Sequence, residues 1–137
     1  MPDIAKTAAD MISDMAPALQ AGRFVFVTTT DSEQGATLTR AALACFRESE
    51  GLSLLVPLDL AQSAGFAVDH PMRQITLTVY SALDGVGLTA AVSQALAARN
   101  IPCNMIAAYH HDHVFVPEDC CDAALEVLLS LQGNAPA

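Results

Sequence analysis

Apolar residues recur at helical spacing near the N-terminus, where Ile4, Ala8, Met11, Ile12 and Met15 form one stripe that stops before Pro17 and Gly22. This predicts an amphipathic helix. The period then shortens. "RFVFVTTT", residues 23 to 30, is β-branched and aromatic and predicts a strand, and the polar "DSEQG" after it predicts a loop. "ALACFRE" and "LSLLVP" flank Ser49, Glu50 and Gly51 and predict a hairpin, with Gly51 free to take a positive φ. After Pro57, "LDLAQSAG" predicts a short helix that Gly65 closes. In "ITLTVYS", residues 75 to 81, alternation sets Ile75, Leu77 and Val79 on one face and Thr76, Thr78 and Tyr80 on the other, the pattern of a half-buried strand. Leu88, Ala91, Val92, Ala95 and Leu96 stripe the longest predicted helix, within "VGLTAAVSQALAARN". "CNMIAAY" and "VFVP" predict two more strands. "EDCCDAALEVLLSLQ" predicts a last helix, whose acidic first turn suits the positive end of its dipole.

Two stretches repeat each other. "LSLLVPLDLAQSAG" and "DHVFVPEDCCDAAL" both run apolar strand, Val-Pro, an aspartate two residues on, then helix, and one offset relates Pro57 to Pro117, Asp59 to Asp119 and Ala64 to Ala124. An internal duplication follows. It predicts an N-terminal helix over 1–20, a first unit over 21–72 that is degenerate because a polar loop stands where its first helix belongs, and a second unit over 73–137. The second unit lacks a final strand, so the two are expected to interlock, each completing the other's sheet.

Composition narrows the function. Six Lys and Arg against fifteen Asp and Glu give a formal charge of −9, which repels phosphate backbones and anionic lipid surfaces, so no nucleic-acid and no membrane partner is expected. No apolar run is long enough to cross a bilayer, and "MPDIAKTAAD" is unlike a secretion signal, which together predict a cytoplasmic protein. Cys45, Cys103, Cys120 and Cys121 show no C-x-x-C spacing and are expected to be reduced and mostly buried. Nucleotide-binding loops and a G-x-S-x-G elbow are lacking, so neither a cofactor nor a catalytic role is expected.

Three constellations carry candidate chemistry. "SALDGVGL" precedes a helix, whose first N–H groups lack partners, and Gly85 and Gly87 let a carboxylate approach the backbone; in the plainer alternative Asp84 caps the helix and the glycines serve packing. In "FRESEG", Arg47 is suited to clamp a carboxylate in a bidentate pair, or else Arg47, Glu48 and Glu50 pair with one another at a wet edge. In "YHHDHVFVP", a two-residue turn at His111 and Asp112 would place His110 and His113 across from each other on one face. A metal-binding protein or metal-dependent enzyme is then the alternative reading, with a zinc or nickel ion held by His110, Asp112 and His113. A metal-free polar turn is the expectation, because firm sites draw three or four ligands from a rigid frame.

The succession "TLTVYSALDGVGLTAAVSQALAARNIPCNMIAAYHHDHVFVPEDCCDAALEVL" resembles an ACT domain, the amino-acid-binding regulatory module of aspartate kinases. With "CFRESEGLSLLVP" and "HHDHVFVP", the likeness extends from about Met15 to Leu131 and narrows to small stand-alone bacterial ACT-like proteins. It implies an α+β, ferredoxin-like (βαββαβ) ACT fold in two interlocked units. It further implies a non-catalytic sensor that binds a small molecule, an amino acid, and modulates a separate protein partner, as a homodimer. The ligand loop it implies runs from Leu83 through Asp84, Gly85, Val86 and Gly87 to Leu88, with Ser81 and Thr89 as side-chain donors, Asp84 facing the ligand's ammonium, and Arg47 as an added contact.

Overall fold

The computed structural model describes residues 8–78 and 86–133. Along the chain run α1 (Ala8–Ser13), β1 (Pro17–Leu19), β2 (Phe24–Thr29), α2 (Ser32–Thr39), β3 (Ala44–Glu48), β4 (Gly51–Pro57), α3 (Leu58–Ser63), β5 (Met72–Leu77), α4 (Leu88–Ala98), β6 (Asn104–Ala107), β7 (Asp112–Pro117), a single 3₁₀ turn (Glu118–Cys120) and α5 (Cys121–Gly133). They form two units: a central one, Gly22–Met72, and a terminal one that joins Met1–Ala21 to Arg73–Ala137. Each runs in the ferredoxin-like order βαββα, and each takes its remaining strand as described below.

In the central unit β2, α2, β3, β4 and α3 follow that order, and Met72 supplies the start of a fourth strand by pairing antiparallel with Phe24. β4 lies between β2 and β3, with Val27 opposite Leu54 and Cys45 opposite Leu54 on its other side. Alternation sends Val25, Val27, Leu54 and Val56 to the helix-covered face, where they meet Leu38 of α2 and Leu58 and Ala61 of α3. This buries a core drawn wholly from one stretch of chain.

The loop expected at "DSEQG" is a helix instead, and the first unit is therefore complete, not degenerate. Asp31 is its N-cap: Oδ1 accepts from the backbone N of Glu33 at 2.9 Å and of Gln34 at 3.0 Å. Thr29 Oγ1 donates to Gln34 Oε1 at 2.6 Å and fixes the chain's entry into α2. Only Gly35 and Leu38 of this helix are buried, so it has almost no apolar stripe to betray it. Gly35 permits close packing on β4, since a Cβ there would stand 3.2 Å from Leu52 Cδ2.

The terminal unit draws its fourth strand from ahead of the central one. β1 pairs antiparallel with β5, Pro17 opposite Leu77 and Leu19 opposite Ile75, while β5 neighbours β7 and β7 pairs with β6. Ile75, Leu77, Val114 and Val116 face α4 and α5 and form one core with Leu88, Val92, Leu96, Ala124 and Leu128. Met11 and Met15 at the chain's start are sealed into the same core, 1% and 0% exposed. The duplicated Val-Pro junctions match in conformation: Pro57 has φ −55° and ψ 138° before α3, and Pro117 φ −54° and ψ 143° before the 3₁₀ turn. Proline fixes φ and cannot continue the strand ladder, so both strands pass into helix at the same place.

The β6–β7 hairpin turns earlier than the histidine spacing predicts. Ala107 pairs with Asp112 and Ala108 N donates to His111 O at 3.0 Å, so the turn is Tyr109–His110 and not His111–Asp112. Burial sets this register: Val114 and Val116 must face the core, which fixes every neighbour's side. His113 consequently lies opposite Ile106, not His110.

Candidate functional site

An open cavity of about 500 Å3 lies in the central unit, beside α2 and the edge strand β3. The helix residues that border it, Ser32, Gly35, Ala36 and Thr39, recur at i, i+3, i+4 and i+7 and are all small, so no side chain fills the space between helix and strand. Leu52 of β4 lines the cavity from the sheet, and Thr29 and Thr30 close the end where β2 runs into α2. The β3–β4 turn closes the other side with Arg47, Glu48, Ser49, Glu50 and Gly51.

The charges around it do not cancel one another by contact. Arg47 pairs with no carboxylate among the described residues. Asp31 and Glu50 each have one carboxylate oxygen engaged, Asp31 Oδ1 by the α2 cap and Glu50 Oε1 by the Ser49 hydroxyl at 2.8 Å, while the Glu48 carboxylate is held by the Ser53 hydroxyl on the sheet face away from the helices. The Ser49 hydrogen bond, followed by one from the backbone, holds the Glu50 carboxyl below its ordinary range, so it is ionised at neutral pH. One guanidinium and the carboxylates of Asp31 and Glu50 therefore border a single space, and the pairing expected within "FRESEG" is not made.

Of the residues expected in a ligand loop, Ser81, Leu83, Asp84 and Gly85 lie outside the described residues. Val86 is exposed, Thr89 is exposed, and the Leu88 side chain is packed into the core. Gly87 stands at the N-cap of α4 with φ 109°, a left-handed conformation that favours glycine. Arg47 is in the other unit and lines the cavity there. Sequence reasoning missed the α2 side of that cavity. The duplication held the signal, since the β2–α2 connection stands in chain order where the connection between β5 and α4 stands in the other unit.

The histidine alternative meets a different geometry. His110 is in the hairpin turn, and Asp112 and His113, as successive strand residues, point to opposite faces of β7. The His113 ring belongs to a hydrogen-bonded cluster on the sheet: Nδ1 lies 3.0 Å from Gln74 Nε2 and 3.1 Å from Thr76 Oγ1. An amide nitrogen only donates, so Nδ1 accepts and the neutral ring carries its proton on Nε2. Burial lowers the His113 pKa, the charge of His111 lowers it further, and Asp112 acts against both. Among the described residues no group of three His, Cys, Asp or Glu side chains is arranged to hold a metal ion.

The thiols are free, but less buried than expected: Cys121 is buried, Cys103 and Cys120 are half-buried, and Cys45 is exposed on β3. Among the described residues no helix is long and apolar enough to cross a membrane.

Two family models match successive parts of the chain, each for an ACT domain, one over residues 6–73 and the other over residues 69–130. A solved protein of unknown function from Vibrio cholerae, described as a possible transport protein, is 40% identical, with a TM-score of 0.78 over 88% of this chain and 92% of its own. The chain belongs to the ACT-domain family. The regulatory subunit of aspartate kinase from Thermus flavus shares the fold at 14% identity, with a TM-score of 0.61 over 84% of this chain and 95% of that one. Aspartate kinase from Clostridium acetobutylicum does so at 12% identity and a TM-score of 0.61, over 84% of this chain and 34% of its own. The curated proteins contain no match. The two ACT matches meet at residues 69–73, where the central unit ends and β5 begins.

Proposed function

We propose that this protein is a non-catalytic regulatory module of the cytoplasm that binds an amino acid in the central-unit cavity and passes the binding energy to a separate protein. The observation that carries the reading is the unpaired Arg47 guanidinium across from carboxylates with an oxygen to spare, in a space of about 500 Å3. An α-amino acid is a zwitterion of matching pattern. Its carboxylate takes the two parallel N–H donors of Arg47, and its ammonium takes Asp31 or Glu50. Its side chain lies along the small residues of α2, over Leu52. The ACT family and the regulatory role of the aspartate kinase relatives favour this use of the site. Binding drives a partner only through unequal affinity for two states, which the ordering of the β3–β4 turn around a ligand supplies.

The corresponding loop of the terminal unit, with Ser81, Leu83, Asp84, Gly85, Val86, Gly87, Leu88 and Thr89, is proposed as a second site of the same kind. Support comes from the left-handed Gly87 at the start of α4.

Thermal shift against the twenty amino acids tests both. A ligand at a hundred times its dissociation constant adds about 2.7 kcal/mol of stability. The shift is expected to vanish in Arg47→Gln if the central cavity is the site, and in Gly85→Val if the terminal loop is. No shift by any amino acid in the wild-type protein overturns the reading.

A further inference from the structure

Helices cover one face of the central unit's sheet, and the other face carries an aromatic patch. Residues directly opposite in an antiparallel pair share a face. Leu54 faces the helices, so Ser53 and Leu55 face the other way, and their partners do so with them: Phe26 and Ala44 beside Leu55, Thr28 and Phe46 beside Ser53. Phe26 is 50% exposed and Phe46 73%, while Leu55, 1% exposed, forms the floor between them. Phe26 stands on β2 and Phe46 on β3, two strand spacings across and two residues along, which sets them about 12 Å apart.

Charge decides what covers the patch. Residues 22–72 hold six aspartates and glutamates against three arginines. Among the described residues Glu48 is the one charged side chain that β2, β3 and β4 present on this face, whereas Arg47, its neighbour in β3, lines the cavity on the helix side. The Ser53 hydroxyl engages Glu48 Oε1 and leaves Oε2. Two copies placed face to face would bring acid to acid with no cation between them, so the patch suits a partner that supplies the positive charge.

We propose that this face docks a basic amphipathic helix of the protein that the module regulates, an inference that rests on the regulatory reading above. Helix residues seven or eight apart lie about 10.5–12 Å from each other along the axis, so two apolar anchors of one helix reach Phe26 and Phe46, and a third between them settles over Leu55. A lysine or arginine one turn further meets Glu48. At roughly 200 Å2 for a phenylalanine, the two rings offer about 250 Å2 of apolar surface, which places the contact among the small, reversible interfaces of less than about 1,200 Å2. Alternation along β3 links this face to the cavity: Arg47 points into the cavity, and Phe46 and Glu48 on either side of it point to the helix. A ligand that orders the end of β3 thereby changes the affinity for the partner.

Titration of the isotope-labelled full chain with two synthetic helices of about 14 residues, leucine on one face and either lysine or glutamate on the other, tests this by NMR. The lysine helix is expected to shift amides of β2, β3 and β4 around Phe26 and Phe46, and the glutamate helix to bind about tenfold more weakly or worse. Phe46→Ser, at a position exposed enough to leave the thermal melt unchanged, and Phe26→Ser are each expected to weaken the lysine helix about tenfold. Glu48→Gln is expected to weaken it about two- to fivefold. Equal affinity for the two helices overturns the proposal, as does binding that both phenylalanine variants leave intact, or shifts that fall away from this face. A wild-type dimer in sedimentation velocity that Phe46→Ser dissolves assigns the face to a second copy and overturns it too. The amino-acid thermal shift is read on the same protein. If that shift appears and the lysine helix does not bind, the docking face is lost and the cavity reading stands; if the helix binds as described and no amino acid gives a shift, the reverse holds.

Discussion

At His113 the surroundings disfavour the charged ring. Partial burial opposes the charge most, the nearby His111 opposes it further, and Asp112 offsets part of this, while protonating Nδ1 would also cost the hydrogen bond it accepts from Gln74. The folded protein therefore binds fewer protons at this ring than the unfolded chain, whose ordinary value is 6.5, and stability falls as the pH drops below about that point. The expected result is a melting temperature that declines between pH 7.5 and pH 5.5 and declines less in His113→Gln, which keeps a hydrogen-bonding side chain and cannot titrate. Equal slopes would remove His113 from the account. Asp31 decides a helix in the same local way. Asp31→Ala takes the acceptor from two backbone N–H groups, and the expected loss is about 1 kcal/mol by chemical denaturation, with Asp31→Asn close to wild type.

Among elements, α4 and α2 show what periodicity can and cannot reveal. Leu88, Val92 and Leu96 repeat every four residues in α4 and are all buried, so the helix was plain in the sequence. Leu96→Ala, at a wholly buried position, is expected to cost about 2–5 kcal/mol, measured in urea with an unchanged slope. In α2 the stripe is missing because the helix lies at the sheet's edge and turns small residues toward an open cavity. The feature that hid the helix is the one that makes the site. Only its capping chemistry, an aspartate with Glu33 and Gln34 just behind, marked it. The β6–β7 hairpin was legible as two strands but not in register, since the turn follows from which valines reach the core and not from where the histidines cluster. Arg47 was legible as a lone cation among acids. Its cavity was not, because the helix beside it was unseen.

For the whole molecule, the order of the chain makes the first twenty-one residues a part of the terminal unit, although the central unit separates them from the rest of it. Met11 and Met15 fill its core, and β1 holds the fourth-strand place against β5. Polar bonds tie the same segment down: Thr78 N donates to Met15 O at 2.8 Å and Gln132 Nε2 donates to Ser13 O at 2.9 Å. Removing residues 1–21 would uncover Ile75, Leu77 and the inner sides of α4 and α5. The two methionines alone account for about 3–6 kcal/mol of burial, a large share of the about 5–15 kcal/mol that holds a typical domain together. The central core, by contrast, draws its buried residues from Val25 to Ala61 and takes none from the deleted stretch. Hydrogen exchange on the truncated chain is therefore expected to show α4 and α5 amides exchanging without protection while those of β2 and β4 keep theirs. Retained protection in α4 and α5 would mean that the terminal unit stands without its borrowed strand, and that the interlocking is a matter of chain order and not of stability.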